Sequence, residues 1–339
     1  MDPVEALRRI AFLLEWRDAS PYRVRAFHTA ADAVRALPAG PVDAARARAL
    51  HGIGPVTAEV IAQASAGAVP AYLARLEEEA GPRARAGWGL VAAGRGDCHL
   101  HSDWSDGGSP IEVMAEAAAA LGHRWAVLTD HSPRLTVAHG LDPDRLRLQL
   151  AAVAAVNARR GAGGLRLLTG IECDILADGS LDQEEELLAR LDVVVASVHS
   201  GLRSEPGPMT ARLVAAVRNP HVDVLGHCTG RIVTGRGRPQ SRFDAREVFA
   251  ACAGSGTAVE INCRPERRDP PDDLLALAAE AGCLFAVDTD AHAPEQLHWQ
   301  STGYARAAKA GLGADRLVTT WPLGRLLDWT GGPPPDRGR

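Results

Sequence analysis

The sequence predicts an α/β chain of two parts, a small all-helical region followed by a parallel (β/α) barrel. Three observations predict it. Apolar residues recur at helical spacing over about the first 80 positions. Beyond them, seven short apolar runs alternate with Ala/Leu-rich helical stretches, which implies βαβ units and a parallel sheet. The stretch 97–330 has the length of such a barrel, and 339 residues is ample for two domains. A hydrophobic content of 46% with 23% charged residues supports a packed core and argues against disorder. A net charge of −5 excludes a generally basic nucleic-acid coat, though not a local DNA contact.

The elements follow in order. Val4, Leu7, Ile10, Leu13 and Leu14 mark a first helix. Ser20-Pro21 offers an N-cap and a first-turn proline for a second, which Pro38, Gly40 and Pro41 end. A short third helix leads into LHGIGPVTAEVIAQA, and AYLARLEEEA closes a helical domain over 1–80. The Gly/Ala/Arg stretch 81–96 reads as a linker, 97–330 as the barrel, and 331–339 as a disordered tail. No apolar run is long enough to span a membrane, and no secretory cleavage pattern follows the N-terminus, so a cytoplasmic location is expected. None of the six cysteines forms a CxxC, which argues against a zinc knuckle or a disulfide framework.

The seven runs end at GDCHLHS, WAVLTDHS, RLLTGIECDI, VVVASVHS, VDVLGHCTG, TAVEINCRP and LFAVDTDAH. In barrels of this kind, chemistry sits at the C-terminal strand ends. The first run supplies His99 and His101, spaced i, i+2 and so on one face. The loop after it supplies Asp106, and the second run supplies His131. Glu172, His199 and His227 end the third, fourth and fifth runs, and the seventh ends in Asp290 and His292. The sixth offers only Asn262, a candidate donor to phosphate. Any one of these histidines is ordinarily a packed or surface residue; six on consecutive strand ends are not. Imidazole and carboxylate without thiolate suit Zn, Mn or Fe, and nine donors suit two or three ions with a bridging carboxylate. Cys98, Cys173 and Cys228 adjoin these positions and should point to the opposite face.

GDCHLHSDWSDG, LTDHS, GIECDIL, SVHS, GHCTGR, EIN and TDAH resemble the PHP domain (polymerase and histidinol phosphatase family), and within it the C-terminal domain of bacterial family X DNA polymerases. The resemblance implies a distorted (β/α)7 barrel with three divalent ions. One would be held by His99, His101, Glu172 and Asp290, a second by Glu172, His199 and His227, and a third by Asp106, His131 and His292. Many members of the family carry histidine where Asp106 stands. The N-terminal part is similar to the small helix-hairpin-helix domain of the same polymerases, with its hairpin at Gly52, Ile53 and Gly54. Backbone amides there would hold a DNA phosphate without reading sequence. Between the two parts there is no room for a polymerase palm. The only lysine is Lys309, so Schiff-base chemistry is not open to the N-terminal domain.

The reading is a metal-dependent phosphoesterase acting on DNA ends or damaged DNA. His99, His101, Glu172 and Asp290 are its catalytic core, and Arg231 and Arg267 are candidate phosphate clamps. Its partners are DNA, through the N-terminal domain, and a phosphoester in the barrel; no membrane is implied. A small-molecule phosphatase of the histidinol-phosphatase type would use the same nine donors, and a non-catalytic DNA-binding scaffold is a third reading.

Overall fold

The computed structural model describes residues 1–38, 40–161 and 163–331. From residue 332 on, the expected disordered tail lies outside the described residues. The chain forms two compact units, Met1–Ala92 with Tyr304–Lys309, and Ala93–Gly303 with the residues from Ala310 on.

The first unit is helical: α1 (Pro3–Trp16), α2 (Pro21–Arg35), α3 (Ala44–Arg48), α4 (Pro55–Ser65) and α5 (Ala71–Ala93). The Asp2 carboxylate caps α1 by accepting from the Glu5 amide at 2.8 Å, and Pro3 fits the first turn. One face of α1, with Leu7, Ile10 and Leu14, packs into a core with Val24, Phe27, Ile61, Leu73 and Leu76.

The expected linker at 81–96 is largely helix. Gly81, at φ 75°, breaks α5, and Pro82 restarts it. Ala84, Gly87 and Leu90 then bury an i, i+3 face. At Gly87 a Cβ would lie 2.8 Å from the Phe12 ring, so glycine is needed for that approach. The stretch reads as a linker by composition, but its helical spacing decides.

The second unit holds a parallel sheet in the order β1 (Trp125–Leu128), β2 (Arg166–Asp174), β3 (Val193–Ser197), β4 (Val224–Leu225), β5 (Ala258–Asn262), β6 (Phe285–Asp288). Between the strands run α7 (Pro143–Arg160), the single turn α8 (Glu185–Leu188), α9 (Pro206–Val217), α10 (Ala245–Ser255) and α11 (Asp272–Glu280). α6 (Ile111–Ala120) precedes β1, and α13 (Leu323–Gly331) follows β6; between them in sequence α12 (Gln300–Lys309) contributes Tyr304–Lys309 to the first unit. The sheet packs around a buried core that includes Trp125, Val127, Leu168, Val195, Val224, Ala258 and Ala286.

The first expected strand, GDCHLHS, is not a laddered strand, so among the described residues the sheet has six strands rather than seven. Side chains take up its amides: Cys98 N–H donates to Asp288 Oδ1 at 2.8 Å and Leu100 N–H to Thr129 Oγ1 at 3.0 Å. The segment still closes the ring, because Leu100 bridges in parallel to both Leu128 and Ala291. It thereby stands between β1 and β6 and carries His99 and His101 into the same end as the other strand termini.

Candidate metal centre

Glu172 is the hub. It is 1% exposed, near the end of β2, and five imidazoles surround it. Its Oε1 lies 2.7 Å from His227 Nε2 and 3.2 Å from His199 Nε2. Its Oε2 lies 2.9 Å from His131 Nδ1, 3.3 Å from His99 Nε2 and 3.6 Å from His101 Nε2. Each carboxylate oxygen thus faces a different set of histidines, the arrangement a bridging ligand needs.

Asp290 and Asp106 complete the set. Asp290 Oδ1 is 3.4 Å from His101 Nε2 and 3.9 Å from His99 Nε2. It has a left-handed φ of 52°, sparsely populated for a non-glycine residue, where the chain turns after β6. Asp106 Oδ1 lies 3.4 Å from His131 Nε2 and 3.3 Å from His292 Nε2. The Asp130 carboxylate holds the loop that delivers Asp106, accepting from the Ser102 amide at 2.9 Å and from Gln149 Nε2 at 2.6 Å.

All nine expected residues therefore meet at one end of the barrel. Among the described residues, three groups have donor atoms within 4.8 Å of one another: His101, Asp106, His131 and His292; His99, His101 and Asp290; and His131, Glu172 and His199. The last differs from the expected Glu172, His199 and His227. That group holds His131 rather than His227, although His227 Nε2 also faces Glu172 Oε1, at 2.7 Å.

The donor set fits divalent cations. His99 Nε2, both ring nitrogens of His101, His131 Nδ1, His199 Nε2, His227 Nδ1 and Glu172 Oε2 are buried without an aligned hydrogen bond. Each such atom costs about 1–3 kcal/mol when left unsatisfied, a cost that bound cations would relieve. The backs of two rings are fixed by carboxylates, His99 Nδ1 by Glu260 at 2.6 Å and His199 Nδ1 by Asp174 at 2.8 Å. Such partners orient the ring and leave its other nitrogen free to ligate.

Without a cation, the buried carboxylates and imidazoles shift one another strongly. Burial raises the Glu172 carboxyl, but His99, His131, His199 and His227 outweigh it and hold it well below its usual range. Burial likewise raises Asp290, and His99, His101 and Arg267 pull it well below. Burial lowers His199, yet Glu172 and Asp174 lift it to about 9. Burial, reinforced by His292 and His131, pushes His101 well below its usual value.

Of the two expected clamps, only Arg267 faces the site. Its Nε lies 3.2 Å from Asp290 Oδ2, and its Nη1 is buried without a partner. Arg231 is a correction: its guanidinium donates to the backbone carbonyls of Arg267, at 3.0 Å, and Arg268, so it braces that loop rather than presenting itself to a phosphate. Asn262 is also occupied, its Nδ2 donating to Glu260 Oε2 and Asp290 Oδ2, each at 3.1 Å. Cys98, Cys173 and Cys228 are buried, and none joins a donor group.

Sequence reasoning missed Glu260, Asp174 and Arg264. The first two were signalled, since each stands two residues along a strand from a residue already singled out, Asn262 and Glu172. Arg264 follows β5, and its Nη1 lies 3.1 Å from His292 Nδ1 and 3.4 Å from Asp290 Oδ1.

In the helical unit, α3 and α4 flank the expected hairpin, and Gly52 has φ 78°. The residue assignment shifts, however. The Ile53 amide donates to the Leu50 carbonyl at 3.3 Å and the Gly54 amide to Thr57 Oγ1 at 3.0 Å. Both are spent inside the hairpin, which leaves the amide of Gly52 and the first-turn amides of Val56 and Thr57 as those an anion could meet.

Residues 1–67 match the helix-hairpin-helix domain and residues 97–264 match the PHP domain. The chain is 40% identical over 215 residues to the DNA polymerase/3′-5′ exonuclease PolX of Bacillus subtilis (strain 168), a match covering 63% of this chain and 37% of that protein. It thus spans little more than a third of that relative. It is 27% identical over 245 residues to a "Probable phosphatase" of Thermoanaerobacter sp. (strain X514), covering 69% of this chain and 93% of that one. A histidinol phosphate phosphatase from Lactococcus lactis subsp. lactis, solved with zinc, L-histidinol and phosphate, superimposes with a TM-score of 0.46 at 18% identity, covering 65% of this chain and 94% of that one. No helix among the described residues is long and apolar enough to cross a membrane.

Proposed function

We propose that this chain, a PHP-domain protein that also carries a helix-hairpin-helix domain, is a metal-dependent phosphoesterase that acts on DNA ends or damaged DNA. The observation that carries the chemistry is the convergence of nine imidazole and carboxylate side chains on one buried end of the barrel, with Glu172 at their centre. His99, His101, Glu172 and Asp290 would hold one ion, and Glu172, His199 and His227, with His131 in reach, a second. Asp106, His131 and His292, with His101, would hold a third. Zinc, manganese and iron(II) all suit these donors. Divalent ions bound there would supply an activated water and Lewis acidity toward phosphate oxygens.

The chain's own residues do the rest. Glu260 and Asp174 hold the His99 and His199 rings in one orientation. Arg267 offers a guanidinium nitrogen, Nη1, with no protein partner among the described residues, which could donate to a phosphoryl oxygen. Arg231 keeps the loop bearing Arg267 in place. The barrel end is thus preorganised to receive and neutralise a phosphate. Six free cysteines suit a reducing compartment, and we place the protein in the cytoplasm.

The helix-hairpin-helix domain carries the choice of DNA, because a small phosphoester has no use for it. The second reading is a small-molecule phosphatase, in keeping with the relative described as a "Probable phosphatase", 93% of whose length is matched by 69% of this chain. Gly52→Val separates the two. Valine at φ 78° is strained, and its Cβ would meet Thr29 Cγ2 at 3.0 Å. About 1–2 kcal/mol of left-handed strain should distort the hairpin and cost roughly tenfold in apparent affinity for DNA. Turnover of a small chromogenic phosphoester should not change. Cleavage kinetics on both substrates, across a salt series, read the difference, since the contact is to phosphate and weakens as salt rises. Unchanged kinetics on both substrates would favour the small-molecule reading.

A further inference from the structure

The outer donor group, His101, Asp106, His131 and His292, is geometrically complete but electrostatically poor. Asp106 is its one carboxylate and, at 36% side-chain exposure, the most exposed of the nine donors. Against it stands a permanent cation. The Arg264 guanidinium is held by Glu266 at 2.8 Å, and the backbone amide of Arg264 anchors the chain there by donating to Asn262 Oδ1 at 3.1 Å. Its Nη1 lies 3.1 Å from His292 Nδ1.

That contact opposes ligation in either tautomer. If His292 Nδ1 accepts from Arg264, the ring proton is on Nε2, the nitrogen that faces Asp106, and that nitrogen cannot bind a cation. If Nδ1 instead carries the proton, it donates to the Asp290 carbonyl, 2.9 Å away, and Nε2 is free. Two donors then face each other across 3.1 Å, with the guanidinium charge one imidazole away from the cation. Arg264 Nη1 also lies 3.4 Å from Asp290 Oδ1 of the inner set, but there it meets a carboxylate that attracts it rather than a ligating ring, and carboxylates back His99 and His199.

We propose that Arg264 makes the outer position the weakest-binding of the three, so that its ion exchanges while the inner two stay. This rests on the ligand assignment above. A phosphate anion entering beside Arg264 offsets its charge and adds negative charge next to Asp106, so the outer ion is best retained when phosphate is bound.

The test is a metal count. Full-length protein is equilibrated with manganese, desalted and assayed by elemental analysis, as wild type, Arg264→Gln and Arg264→Lys. Wild type and Arg264→Lys should keep two ions per chain and Arg264→Gln three. Titration should show the last ion bound about tenfold or more tighter in Arg264→Gln. Desalting wild type in inorganic phosphate should raise its count toward three. Equal counts and affinities in wild type and Arg264→Gln overturn the proposal, as does a count that phosphate leaves unchanged. If no variant keeps manganese at all, it is the ligand assignment itself that fails. Arg264→Lys guards against a folding artefact, because it retains the charge in a comparably altered side chain.

Discussion

Glu172→Gln should abolish phosphoester cleavage, by about a thousandfold or more, equivalent to at least about 4 kcal/mol of transition-state stabilisation. Glutamine keeps the shape of the side chain but removes the charge that both carboxylate oxygens present to five imidazoles. Its amide would also turn two N–H donors toward ring nitrogens that need to ligate. The strand should hold, since the Glu172 backbone pairs with β3 independently of the side chain. Turnover of a chromogenic phosphoester, beside a circular dichroism spectrum matching wild type, checks this. Near-normal turnover in the variant would remove Glu172 from the centre of the site.

Stripping metal with a chelator should lower the melting temperature of the unit that carries the barrel by roughly 10 °C. An ion at a thousand times its Kd stabilises by about 4 kcal/mol, and a domain of this size moves about 2–4 °C per kcal/mol. The source is visible in the structure: seven buried polar atoms of the cluster lack an aligned hydrogen bond. Differential scanning calorimetry before chelation, after it, and after manganese is restored reads the shift. Identical melting in all three states would mean that the cluster is stable as a network of imidazole–carboxylate pairs alone.

The legible part of the fold and site is the part encoded by periodicity. His99 and His101, spaced by two, and Asp290 with His292, also spaced by two, announce a strand end whose alternate side chains share a pocket. The six strands of the sheet were readable from their apolar runs. What periodicity does not carry was lost. The segment at His99 looks like a strand, yet Thr129 and Asp288 take its amides, a tertiary choice with no local signal. The helix over 82–93 was hidden by glycines and arginines, although Ala84, Gly87 and Leu90 keep helical spacing. Arg231 and Arg267 are alike in sequence. Only the folded loop shows that the first donates to backbone carbonyls while the second presents a free nitrogen. At the hairpin, sequence located the turn but not which amides are already used.

Elemental analysis of the purified, metal-reconstituted and desalted chain, with Glu172→Gln alongside, tests the central claim most directly. The geometry around Glu172 predicts at least two divalent ions per wild-type chain and a clear loss in the variant. A wild-type chain that retains none, or a variant that retains as many as wild type, would contradict it.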